Sequence, residues 1–146
     1  MRRNLGQCGR GGIATVEFAL AAPLLLLLLA GVLNCAMIFR YATTAAEAAR
    51  CGAQYGSQSV TNSLDTAGMQ AAALTSAPGM TGLTATASRY CQCSGGSTVS
   101  CGGSCANGKM LIYVQVTTRV TAPTVFSYAG FTLSGATAFT ASMRAQ

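Results

Sequence analysis

Histidine and tryptophan are absent from this sequence, and charge is scarce. Charged residues make up 8% of the chain, against a usual level of about 25%. Three are acidic: Glu17, Glu47 and Asp65. Without histidine, and with one acid outside the first helical stretch, general acid–base catalysis lacks its usual groups. The many serines and threonines have no base to activate them and read as strand and turn residues. No catalytic residue is expected. The lack of histidine and of any paired C-x2-C leaves no zinc-ribbon pattern, so neither a metal nor a cofactor is expected. Low charge does not bring disorder, because apolar residues reach 51%. Basic residues number nine, and Arg2, Arg3 and Arg10 stand in the first ten positions. Removing the first twelve residues leaves six basic against three acidic, so the net charge falls from +6 to +3. The other six are scattered singly, without a basic stripe, and no nucleic-acid partner is expected.

Long apolar runs are what the chain has instead. Met1 to Gly12 is polar, basic and glycine-rich, and Ile13 to Phe39 is almost wholly apolar. Phe18 to Phe39 is a stretch of 22 residues without a charge. As a helix it is about 33 Å long, enough for a hydrocarbon core of about 30 Å. The run Leu24 to Leu29 is apolar all round, which suits lipid better than a half-exposed helix. Arginines before the span, and Arg40 alone just after it, put the N-terminus in the cytoplasm and the C-terminal part in the periplasm or beyond.

A secretory signal peptide has a shorter apolar region and an A-x-A-like cleavage site. Here the apolar run is longer, an acid is embedded near its start, and Ala30-Gly31-Val32 and Asn34-Cys35-Ala36 make poor sites. A lipoprotein needs a small residue before its cysteine, and Cys35 follows Asn34. A plain membrane anchor is a further reading. A carboxylate in a membrane helix costs about 2.5–3.5 kcal/mol and normally needs a partner. Cleavage after Gly12 creates an α-amino group on Ile13, one helical turn from Glu17. Alternatively, Glu17 snorkels to the headgroups. Pro23 either kinks the helix or sits among lipids without consequence.

Beyond the span, alanines at 42, 45, 46, 49 and 53 form a small-residue stripe at helical spacing. Gly52 and Gly56 with Ser57 are expected to end this helix. The stripe suits close helix packing, in membranes or in bundles. A second helix is expected from Leu64 to about Thr75, capped by Asn62 or Ser63 and stopped by Pro78-Gly79. The rest alternates with period two. Leu83, Ala85 and Ala87 make one strand, Met110, Ile112, Val114, Val116 and Val120 a second, and Leu133, Phe139, Ala141 and Met143 a third. Ser94 to Gly108 is a glycine- and serine-rich loop between the first two. The expected fold class is α+β: a long N-terminal transmembrane helix extending into the periplasm, a short second helix, and a small antiparallel sheet of about three strands with a disulfide-stapled loop. The corresponding division is a leader at 1–12, the extended helix at 13–56 and a small domain at 57–146.

The N-terminal residues resemble a known family. GGIATVEFAL sets a glycine at a polar-to-apolar border with a glutamate five residues later. This is similar to the processing site of type IV prepilins and, more closely, of TadE-like minor pilins of the tight-adherence (Tad, or Flp) pilus system. The resemblance runs on through EFALAAPLLLLLLAGVLN and AAEAARCGAQYG, and returns loosely in the ending TLSGATAFTASMRAQ. It implies cleavage between Gly12 and Ile13 by a prepilin peptidase, and a role for Glu17 in subunit assembly. It also implies inner-membrane platform proteins, a major Flp pilin and a sister pseudopilin as partners. The alternative is a periplasmic or surface binding domain on a simple signal anchor. The two differ in the mature N-terminus.

Seven cysteines complete the reading. Cys8 leaves with the leader. Cys91, Cys93, Cys101 and Cys105 flank the flexible loop, and in an oxidising compartment they read as two disulfides. Each is expected to join one of the first pair to one of the second; a Cys91–Cys93 ring is too short for relaxed geometry. Cys35 and Cys51 are 16 residues apart, about 24 Å along a helix, and cannot bridge within one chain. Cys35 is expected to be buried, and Cys51 either free or competing for a loop partner.

Overall fold

The computed structural model describes residues 11–106, 108–123 and 135–146, with side chains from residue 14 onward. The basic leader with Cys8, and Leu133 of the third strand pattern, lie outside the described residues. Helix α1 runs from Gly11 to Ser57, 47 residues, or about 70 Å. It continues through Pro23 without ending. A proline removes one backbone donor, which neighbouring turns in a membrane helix tolerate.

The two halves of α1 have different surroundings. Val16, Phe18, Leu20 and Leu24 to Leu29 are exposed, whereas Ala45, Ala48, Ala49 and Ala53 are buried. The small-residue stripe of the sequence therefore packs inside this chain, against its own sheet. The helix ends at Ser57, as expected, but Gly52 and Gly56 themselves lie within it and are buried. A Cβ on Gly52 would stand 2.7 Å from the Met69 carbonyl oxygen and 3.1 Å from Val116 Cγ1. One on Gly56 would fall on the Met69 side chain. These two glycines let α1 approach its neighbours at backbone distance.

After α1, a 3-10 turn over Asn62–Leu64 leads to helix α2, Thr66–Thr75. The expected caps Asn62 and Ser63 belong to that turn. The α2 cap is Asp65, whose side chain accepts from the Gly68 amide at 2.8 Å. An Asp oxygen near orphan amides also offsets the helix dipole, so the shorter helix starting after Asp65 wins.

Four strands occur among the described residues: β1 Thr84–Cys93, β2 Thr98–Val99, β3 Met110–Thr121 and β4 Ala136–Arg144. They form one antiparallel sheet in the order β2-β1-β3-β4. The expected three strands are β1, β3 and β4. The fourth, β2, is a two-residue excursion inside the predicted loop, pairing Cys91 with Val99 and Gln92 with Thr98. Two residues are too few for periodicity to reveal.

One sheet face lies on α1 and α2. Its central strand contributes Val114, Val116, Thr118 and Val120, all buried. With Ala53, Met69 and Ala73 from the helices, Val114 and Val116 form the core. Thr118 continues the alternation into this apolar layer, and its hydroxyl donates to the Ala45 carbonyl oxygen at 2.7 Å. That bond satisfies a buried hydroxyl that would otherwise be costly. The other face carries Thr84, Thr86, Ser88, Gln115, Thr117 and Thr140 in facing rows. At the chain end, the Gln146 amide donates to the Ser57 carbonyl oxygen at 3.1 Å, and Ala145 to that of Ile112 at 2.9 Å.

Candidate membrane and assembly segment

Gly12 and Ile13 lie in the first turn of α1, and Glu17 follows one turn on, exposed. α1 is long and apolar enough to cross a membrane, and none of its most apolar window is buried by the chain. The exposed leucines are thus available to an apolar solvent at no cost in internal packing. Cover by the protein begins further along. Ala30, Gly31, Asn34, Met37, Ile38 and Tyr41, a stripe at helical spacing, are buried or half-buried. Asn34 is 2% exposed and has a partner. A shielded amide explains how a polar residue is carried within an otherwise apolar run.

The four loop cysteines form two disulfides, Cys91–Cys101 and Cys93–Cys105, with Cα separations of 5.1 and 5.7 Å. Each joins one of the first pair to one of the second. Cys91 and Cys93 point to the inner face at the end of β1 and are buried. The bridges therefore tie the 94–108 loop to the rim of the core. Cys35 and Cys51 are free, and both are exposed. Exposure of Cys35 corrects the expectation of burial: it stands beside the shielded stripe, on the uncovered side of the helix.

Asp65 was not singled out by the sequence beyond its charge. It is the junction between the helices, because it caps α2 and also accepts the Tyr55 hydroxyl at 3.1 Å. The hydrogen bond to Asp65, then its negative charge, then desolvation raise the Tyr55 pKa above its ordinary value of 10.0. An Asp followed three residues later by glycine, just before an alanine-rich run, was the signal for this cap. No group of three or more possible metal ligands occurs among the described residues.

Among the described residues, these features define one candidate membrane span that continues, as a single helix, into a disulfide-stapled α+β domain. Residues 12–54, nearly the whole of α1, match the family model of TadE-like proteins. The match starts at the glycine of the polar-to-apolar border and stops three residues before the helix ends. No curated protein and no solved structure matches the chain.

Proposed function

We propose that this chain is a structural subunit of a Tad/Flp-type pilus system, a minor pilin or pseudopilin made as a prepilin. A prepilin peptidase cuts it between Gly12 and Ile13. The mature chain spans the inner membrane once, with its N-terminus cytoplasmic and its domain periplasmic, and meets the platform proteins, the major pilin and a sister pseudopilin through α1. The observation that carries this reading is the TadE-like match over residues 12–54. The apolar helix and the compartment implied by two disulfides support it.

N-terminal sequencing of mature protein from a pilus-competent host tests the processing step. Ile13 is the expected first residue. An intact Met1, or a start beyond Ala36, refutes the prepilin reading and favours a signal-anchored binding domain. Gly12→Leu is expected to leave the precursor uncut, because a bulky side chain bars the backbone from the protease.

In the assembled state, Glu17 pairs with the new amine of a neighbouring Ile13. Glu17→Gln is then cleaved and inserted normally but associates poorly. Losing one member of a fully buried pair costs about 3–5 kcal/mol, and less near headgroups and water. Even about 1.4 kcal/mol weakens each contact tenfold. Co-purification of the cleaved variant with its partners checks this; normal recovery removes Glu17 from assembly.

A further inference from the structure

The turn after α2 folds back onto α1 where its apolar run ends. Pro78, Gly79 and Met80 lie across from Met37, Arg40, Tyr41 and Thr44, enclosing a groove of about 160 Å³. Segments far apart in sequence thus meet at the first charge after the span. Phe18 to Phe39 has no charge, and 22 residues rise about 33 Å. With that stretch in the hydrocarbon core, Arg40 stands at headgroup depth.

The groove has an apolar side and a polar side. Met37 and Met80 are half-buried within it. Arg40 is exposed, and Tyr41 and Thr44 line the same wall. Glu47 stands two turns beyond Arg40 on α1, about 10 Å along the helix, and one turn beyond Thr44, while Asp65 is at the opposite end of α2. Among the described residues, Arg40 is the one charged residue lining the groove, and a cation beside hydroxyl-bearing residues and apolar walls suits a phosphodiester attached to an apolar body.

We propose that this groove holds the headgroup phosphate of an anionic phospholipid in the leaflet on the domain side. Arg40 faces the phosphate, Tyr41 and Thr44 donate to its oxygens, and Met37 and Met80 flank the glycerol end. The bound lipid clamps the domain to the membrane at a second point, beside the helix, and fixes its height above the bilayer. The proposal rests on the membrane-spanning reading of α1.

The test uses the full chain in nanodiscs containing phosphatidylglycerol and phosphatidylcholine. Native mass spectrometry of the released protein counts retained lipids. Wild type is expected to keep one phosphatidylglycerol in preference to phosphatidylcholine. Arg40→Gln lowers that retention about tenfold, the factor one charge-assisted contact carries, and Arg40→Lys restores much of it. Arg50→Gln, on the same helix and outside the groove, leaves retention unchanged. Arg40 is exposed, so each variant's unfolding curve should match wild type. Equal retention of both lipids, or undiminished retention in Arg40→Gln, overturns the proposal. Failure of the chain to enter nanodiscs at all is a separate result, which removes the spanning reading and the lipid site together.

Discussion

The inner half of α1 (before residue 40) and the outer half (after it) are one unbroken helix with two kinds of surroundings. Val16, Phe18, Leu20 and Leu24 to Leu29 are large, apolar and exposed; from Ala45 to Gly56 one face is reduced to alanine and glycine and is buried. The difference lies in who supplies the contacts. Lipid tails conform to whatever protrudes, so bulky leucines maximise apolar contact. A folded sheet and a second helix have fixed shapes, and here the helix has given up its side chains to let their backbones come near. A small-residue stripe is thus as much a sign of a domain folding onto its own stalk as of subunit packing.

The comparison can be broken most strongly at the far end of the domain. Each disulfide closes a short loop, with sequence separations of 10 and 12, worth about 2–3 kcal/mol by loop-closure entropy. Replacing Cys91 and Cys101 by serine should lower domain stability by that amount in denaturant unfolding. Membrane insertion of the inner half should stay normal, as measured by extraction resistance. A loss of insertion would show that the halves are not independent.

A matched pair of substitutions sharpens the contrast within the helix. Alanine is favoured over glycine by about 1 kcal/mol in a helix interior. At Gly31 nothing lies within 4 Å of an added Cβ, so Gly31→Ala should be neutral or slightly stabilising. At Gly52 the new carbon meets the Met69 carbonyl oxygen, which belongs to the backbone of α2 and cannot swing aside. Overpacking of about 1–3 kcal/mol then exceeds the helical gain, and Gly52→Ala should lower the unfolding midpoint.

The smallest effect concerns the last turns of the outer half. The Tyr55 hydroxyl donates to Asp65, and the pKa of the phenol is raised above 10.0. The neutral phenol is the bonded form. Its contribution is therefore full below pH 10 and is lost as the pH rises through the raised value. The stability difference between wild type and Tyr55→Phe should be constant at neutral pH and shrink in that alkaline window. A difference that stays flat through it would remove the bond from the stability of the fold.

The extent of α1, the three main strands and the pairing sense of the loop cysteines were legible because each rests on a strong local pattern. These are a run without charges, period-two alternation and the short ring that forbids Cys91–Cys93. What the sequence concealed depends on tertiary contact. Gly52 and Gly56 look like stop signals until α2 is seen against them. Thr118 shares the inward register of Val114, Val116 and Val120, but the Ala45 carbonyl that lets a hydroxyl sit there comes from another element. Asn34 and Cys35 are adjacent in an apolar run, and which of them the protein covers is decided by the azimuth of the fold around the helix. Asp65 won the cap over Asn62 and Ser63 because those two were taken into a separate 3-10 turn.

The close seat of Gly52 and Gly56 also makes the domain a pointer rigidly keyed to its shaft. Each residue of an α-helix advances the azimuth by about 100° and the height by about 1.5 Å. Adding one residue to α1 within the leucine run Leu24 to Leu29, before the covered stripe begins, would swing the threonine-rich face of the sheet by about that angle around the helix axis. It would leave every contact inside the domain beyond that point intact. The direction in which this face looks, in any array of neighbouring helices, is therefore written in the residue count of the stalk.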